Sequence, residues 1–191
     1  MDLANTLACP ACRVPDGLAT LQDARQWVGE RWGNPPTLLD AKGWRQLLEL
    51  RRAVLELFHA RATNAPPPKQ ALAQVNAMAA RWGPRTIGAY RGSRWVAARA
   101  YGSDAPGERV AGHLAALAIE ALTGAQAGRL RSCHSPGCAH YLMARTRTQI
   151  WCSPTGCGNR ARVARHYQRT RARRPRGRTA RTRGGPSVAP G

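Results

Sequence analysis

Apolar residues recur at helical spacing through most of the first 124 positions, and the interruptions between these runs carry turn and cap chemistry. Thr20 with Asp23 three residues on resembles a capping box, and Leu21, Ala24, Trp27 and Val28 follow on one helical face. Gly33-Asn34-Pro35-Pro36 stops that element. Asp40 then suits an N-cap, and Trp44, Leu47, Leu48, Arg51, Val54, Leu55 and Phe58 predict a long amphipathic helix. Pro66 to Pro68 end it and open another helix bearing Leu72, Val75, Met78, Ala79 and Trp82. Between Ile87 and Tyr101 the period loosens towards alternation, with Arg91-Gly92-Ser93-Arg94 as the turn, so a short β-hairpin is expected. Pro106 begins a last helix with the stripe Val110, Leu114, Leu117, Ala118 and Ala121, closed by Gly124. The tryptophans at 27, 32, 44, 82 and 95 are expected in its core, and His59 and His113 as packing or surface residues. The pattern predicts a small, mainly α N-terminal domain over residues 1–128.

Composition changes beyond Arg129, and with it the picture. The 191 residues hold 30 basic and 10 acidic side chains, a formal net charge of +20. Residues 1–120 contain 15 basic and all 10 acidic residues, whereas residues 121–191 contain 15 Arg and no acid. Arg supplies 28 of the 30 basic residues, which in an Ala-, Gly- and Pro-rich chain reflects GC-rich codons in part. Codon bias does not explain the lack of acids after Glu120. A polyanion partner follows, most simply nucleic acid. No run reaches the roughly 18 apolar residues of a membrane span, and Asp2 stands where a secretory leader needs basic charge, so a cytoplasmic location is expected, nucleoid-associated if the source is bacterial. Residues 171–191, rich in Arg, Gly and Pro, cannot bury an apolar face and are expected to form a disordered basic tail.

Four of the six cysteines fall within 25 residues: Cys133, Cys138, Cys152 and Cys157, two C-x4-C pairs separated by 13 residues. Each pair brackets turn-formers, Ser135-Pro136-Gly137 and Ser153-Pro154-Thr155-Gly156. Such turns fold two thiolates towards one point, and two turns close a tetrahedron around zinc with Zn–S distances of about 2.3 Å. So short a segment cannot hold itself together by burial, while metal binding supplies an apparent free energy of about 10–16 kcal/mol. Two disulfides, or reduced cysteines in a core, are the competing readings; the first is disfavoured without an export signal. His140, and less readily His134, are alternative ligands, but a fourth cysteine makes a closed, structural four-sulfur site the expectation.

Trp151-Cys152-Ser153 followed by Cys157-Gly158-Asn159-Arg160-Ala161-Arg162-Val163, with Arg129-Leu130-Arg131-Ser132-Cys133 and Pro136-Gly137-Cys138 upstream, resembles the CGNR zinc-finger family over residues 129–170. Members of that family join the finger to a helical N-terminal domain, ABATE, opening with a segment to which Asp2-Leu3-Ala4-Asn5-Thr6 is similar. The resemblance implies a stress-induced transcriptional regulator with Cys133, Cys138, Cys152 and Cys157 holding one structural zinc. Cys9-Pro10-Ala11-Cys12 departs from the pattern. Its spacing fits a redox or half-metal motif, but with Pro15 and Gly17 close by it reads first as unreactive thiols in a short loop.

From Asn159 onward a helix is expected, with Gly158 and Asn159 as turn and cap. Val163, Ala164 and Tyr167 share one side, able to pack on the zinc turns and Trp151; Arg162, Arg165, His166, Arg169 and Arg173 share the other. That Arg face suits phosphate contact and groove entry, and Arg145 and Arg147 between the pairs add backbone contacts. Arg160 falls on the inner side and is expected to support the turns. No catalytic motif appears. The expectation is therefore a DNA-binding regulator, not an enzyme, in which a sensing or dimerising helical domain precedes the finger and its effector is unknown. RNA binding is the alternative, and a thiol redox or protein-interaction protein a further one.

Overall fold

The computed structural model describes residues 2–32, 39–91, 94–102 and 105–173. The stop at 33–36, the Gly92-Ser93 turn and the tail from 174 onward lie outside the described residues, as do the side chains of Trp95 and Arg173.

Helix α1 spans Leu21–Trp32, and its start is a reciprocal capping box. The Asp23 N–H donates to Thr20 Oγ1 at 3.1 Å, and the Thr20 N–H donates to Asp23 Oδ2 at 3.0 Å. Helix α2, Ala41–Thr63, is capped by Asp40, whose Oδ1 accepts the Gly43 N–H at 2.7 Å. It ends at Asn64 in the left-handed region, where the chain reverses. Helix α3 covers Lys69–Ala79. Strands β1 (Pro84–Arg91) and β2 (Arg94–Tyr101) pair antiparallel from Pro84↔Tyr101 to Arg91↔Arg94, the expected hairpin. Helix α4, Pro106–Thr123, lies against both α2 and α3.

Small residues set the helix crossings. A Cβ on Gly43 would sit 2.9 Å from the Gly107 Cα, and one on Gly112 would sit 2.9 Å from the Trp82 Cβ. The buried face of α4 is therefore Gly107, Ala111, Gly112, Leu114, Ala115 and Ala118. The expected stripe is corrected by this packing: Leu117 is exposed, as is Leu72 on α3.

The core continues past the helices. Strands β3 (Leu130–Ser132) and β4 (Tyr141–Met143) pair antiparallel and lie against α2, with Leu130 and Tyr141 belonging to the same buried cluster as Leu50, Val54 and Phe58. The Tyr141 ring meets Phe58 edge-on at 5.6 Å. Asn5 adds a polar tie. Its Oδ1 accepts the Tyr141 N–H at 2.8 Å and its Nδ2 donates to the Tyr141 carbonyl at 3.0 Å, so the amide stands on β4 where a third strand would pair. Helix α5, Cys157–Arg173, closes the described chain. Among the described residues no helix is long and apolar enough to cross a membrane.

Candidate metal centre and basic helix

Two turns aim the four sulfurs at one point. In the first, Gly137 adopts φ +70° and the Cys138 N–H donates to the Ser135 carbonyl at 3.0 Å, bringing Cys138 back beside Cys133. In the second, Ser153 Oγ accepts the Gly156 N–H at 2.9 Å and its carbonyl accepts the Gly158 N–H at 2.8 Å. The chain then enters α5 directly at Cys157, whose sulfur lies at the positive end of that helix. The sulfurs of Cys138 and Cys152 are 3.8 Å apart, those of Cys152 and Cys157 3.6 Å, and those of Cys138 and Cys157 3.7 Å. Cys133 completes the group, with all four sulfurs within 4.8 Å of one another and its own accepting the Cys152 N–H at 3.4 Å.

These separations fit the metal. Four sulfurs each about 2.3 Å from a central zinc lie about 3.8 Å from one another. Ionisation points the same way. Burial raises the Cys138 thiol to about 11, helped by the Cys133 and Cys157 sulfurs, and burial with the same crowding raises Cys152 further. Cys133 is buried too, yet the N–H groups of Cys152 and Ser135 bring it below its ordinary value. Neighbouring sulfurs that resist one another's ionisation become thiolates together only around a shared cation. The four cysteines are thus positioned to bind one zinc ion. His134 is exposed and His140 half-buried, and neither joins the cluster.

Arg160 supports the centre through sulfur and hydroxyl. Its Nη2 lies 3.2 Å from the Cys157 sulfur and 3.2 Å from Ser135 Oγ. Trp151 packs over the first turn of α5, so closely that a Cβ on Gly158 would lie 3.2 Å from its ring. Asn159 occupies that first turn, exposed, and the cap role expected of it passes to the Ser153 contacts because α5 begins two residues earlier. The apolar side of α5 is corrected as well: Val163 and Tyr167 are 46% and 64% exposed, since the helix leaves the metal turns after its opening residues.

Arg162, Arg165, His166 and Arg169 are exposed on α5, and Arg145 and Arg147 are exposed on the loop between β4 and Cys152. Arg162 is partly committed, because its Nη2 donates to the Pro154 carbonyl at 3.0 Å. Arg173 ends the helix. Elsewhere Trp27 is buried as expected, but Trp32 and Trp82 stand with His113, Arg109 and Val110 around an open cleft of about 250 Å³.

Two features escaped the sequence reading. Asn5 was noted as part of a motif, and the structure shows what it ties together. Cys9 and Cys12, expected as unreactive loop thiols, are instead joined by a disulfide, and the Cys12 sulfur lies 3.4 Å from that of Cys138. Their C-x2-C spacing was the available signal; a separation of 126 positions along the chain concealed its target.

A helical domain sharing its core with a four-cysteine finger defines a zinc-finger protein. Residues 1–125 match ABATE, described as a "Putative stress-induced transcription regulator", and residues 129–170 match the CGNR zinc finger. The chain belongs to the ABATE family and carries the finger expected from Cys133 to Cys157. No curated protein matches the sequence.

Proposed function

We propose that the chain is a DNA-binding transcriptional regulator in which zinc fixes the start of α5 and the outer turns of that helix lie on the phosphate backbone. One observation carries this reading: an exposed face of Arg165, His166 and Arg169, in a region without a single acid, on a helix whose first residue is a metal ligand. Arg forms two hydrogen bonds to a phosphate, or to a guanine edge in the major groove. Arg145, Arg147, Arg173 and the basic tail add sequence-independent contacts. One finger buries only about 600–1,000 Å² of protein, so a homodimer reading two neighbouring sites accompanies the proposal. A cytoplasmic location follows from the same reading.

The test is selection of bound sequences from random DNA, with RNA as competitor. Contact with roughly six phosphates gives a log–log salt slope of about −5. Arg165→Ala with Arg169→Ala is expected to weaken binding and flatten that slope by about 2. An unchanged slope refutes the helix face, and preferential retention of RNA refutes the choice of polymer.

A further inference from the structure

Cys9 and Cys12 stand at the metal centre by construction of the fold. The Cys9 N–H donates to the Val14 carbonyl at 2.9 Å and the Cys12 N–H to the Cys9 carbonyl at 2.8 Å, while Arg13 reverses the chain at φ 57°. This turn lies directly on the first metal turn: a Cβ on Gly137 would come 3.0 Å from the Ala11 Cβ, and the Cys9 sulfur lies 3.9 Å from the Gly137 carbonyl. The Cys12 sulfur is 3.4 Å from Cys138 and 3.8 Å from Cys157, which are themselves 3.7 Å apart. Those three sulfurs form a triangle of the same size as Cys138, Cys152 and Cys157, whose sides are 3.8, 3.6 and 3.7 Å. The two triangles share the Cys138–Cys157 edge. Cys9 and Cys12, joined by a disulfide, lie within 4.8 Å of Cys138; Cys157 meets this group through Cys12 and Cys138 and not through Cys9, whose sulfur is free to turn towards it only once the disulfide is broken.

We propose that the reduced protein holds two metal ions in a six-sulfur centre. Cys133 and Cys152 belong to the first ion alone, Cys9 and Cys12 to the second alone, and Cys138 and Cys157 to both. The second ion is a thiolate-seeking divalent cation of the zinc or cadmium class. Two such ions and six thiolates leave a net charge of about −2. Arg160 faces that charge at the shared edge, its Nη2 3.2 Å from the Cys157 sulfur and 3.7 Å from that of Cys12.

Cys9 and Cys12 are joined by a disulfide in the structure, so the second ion enters only after reduction. A thiol reductant delivers two electrons and two protons, breaks the S–S bond and departs as its own disulfide; metal binding then releases the two protons. In reverse, a peroxide takes two electrons from the pair and two protons from solvent, leaves as water, and the reformed disulfide expels the ion. The inference rests on the zinc reading of the four-cysteine group and is independent of DNA binding.

The experiment is native mass spectrometry of the full chain, reduced with a phosphine and titrated with zinc alone. Two ions per chain are expected for the reduced protein, one for Cys9→Ser with Cys12→Ser, and one after peroxide treatment. With cadmium-113, two resonances coupled through shared sulfur are expected, and a single resonance in the double variant. One ion in the reduced protein overturns the proposal, as do two ions retained by the double variant, which would place the second ion elsewhere. Zero zinc in every form overturns the four-cysteine reading beneath it.

Discussion

Removing the Asn5 amide is expected to loosen the finger from the helical domain without touching a metal ligand. In Asn5→Ala two hydrogen bonds are lost, at 2.8 and 3.0 Å, both to the backbone of one residue, Tyr141. A net contribution of about 1 kcal/mol each gives about 2 kcal/mol, and leaving a buried N–H or carbonyl unpaired costs about 1–3 kcal/mol per group. Tyr141 is only 9% exposed. The vacated amide does open a route for water to β4, so a total of about 2–4 kcal/mol follows. Global melting is a poor gauge, because metal-linked unfolding departs from two-state behaviour. Hydrogen exchange reads the site directly. At 2 kcal/mol the Tyr141 amide should exchange about 30-fold faster in the variant, while the amides of α3 change little. Zinc content should be unaltered. An acceleration below about threefold would show that the Phe58–Tyr141 contact and the shared apolar core hold the finger by themselves, and the reasoning from Asn5 would be wrong.

Two further outcomes follow from the helical domain. Arg51, with a side chain 10% exposed, donates to both carboxylate oxygens of Asp16 at 2.6 and 3.0 Å and to Thr6 Oγ1 at 3.2 Å, so Asp16→Asn is expected to cost about 3 kcal/mol in a denaturant titration. Burial raises the Asp16 carboxyl, but the Arg51 hydrogen bonds and charge, with the Leu18 N–H, outweigh it and hold the group below its ordinary value. A lowered pKa in the folded state gives stability that is present above the unfolded value of about 3.9 and lost as pH falls through the folded one. Stability measured from pH 5 downward should fall more steeply in the wild type than in Asp16→Asn; parallel curves would refute the pairing. Gly43→Ala would place a methyl 2.9 Å from both the Gly107 Cα and Leu39 Cδ1, forcing α2 and α4 apart. Overpacking costs about 1–3 kcal/mol, against about 1 kcal/mol gained in helix propensity. A lowered denaturant midpoint is expected, and a raised one would mean the crossing is loose.

Local chemistry was legible because its partners are near in sequence. Thr20 finds Asp23 three residues away, Asp40 finds Gly43, and each C-x4-C pair closes over its own turn. The faces of α3 and α4 were misjudged for a different reason. Hydrophobic spacing ranks Leu117 above Ala111, but at a crossing where Gly43 meets Gly107 the surface that approaches is the one with the least side chain. Side-chain size, not apolarity, chose the buried face. Asn5 and Cys12 were illegible in kind: both act on atoms more than 120 residues away, and nothing in their neighbours encodes that distance. The apolar side of α5 misled because Val163 and Tyr167 imply a packing surface, whereas the helix runs clear of the metal turns after its first residues.

The net charge takes on a different meaning once individual arginines are placed. Arg51 is spent inside the helical domain on Asp16, Arg25 donates from Nε to the Leu39 carbonyl at 2.8 Å, Arg160 faces sulfur and Arg162 is tied to Pro154. None of these four belongs to a surface offered whole to a polyanion. What remains on α5 is the outer run beginning at Arg165, eight residues beyond the metal ligand at Cys157. The arginines nearest the metal therefore build the centre, and those farther along the same helix are left exposed. Position along one helix separates the two tasks: the metal fixes where α5 starts and in which direction it leaves, and the exposed residues inherit that direction. A count of Arg predicts a polyanion partner, but it does not predict that the fold ties Arg160 and Arg162 to sulfur and carbonyl while leaving Arg165 and Arg169 exposed on the same helix.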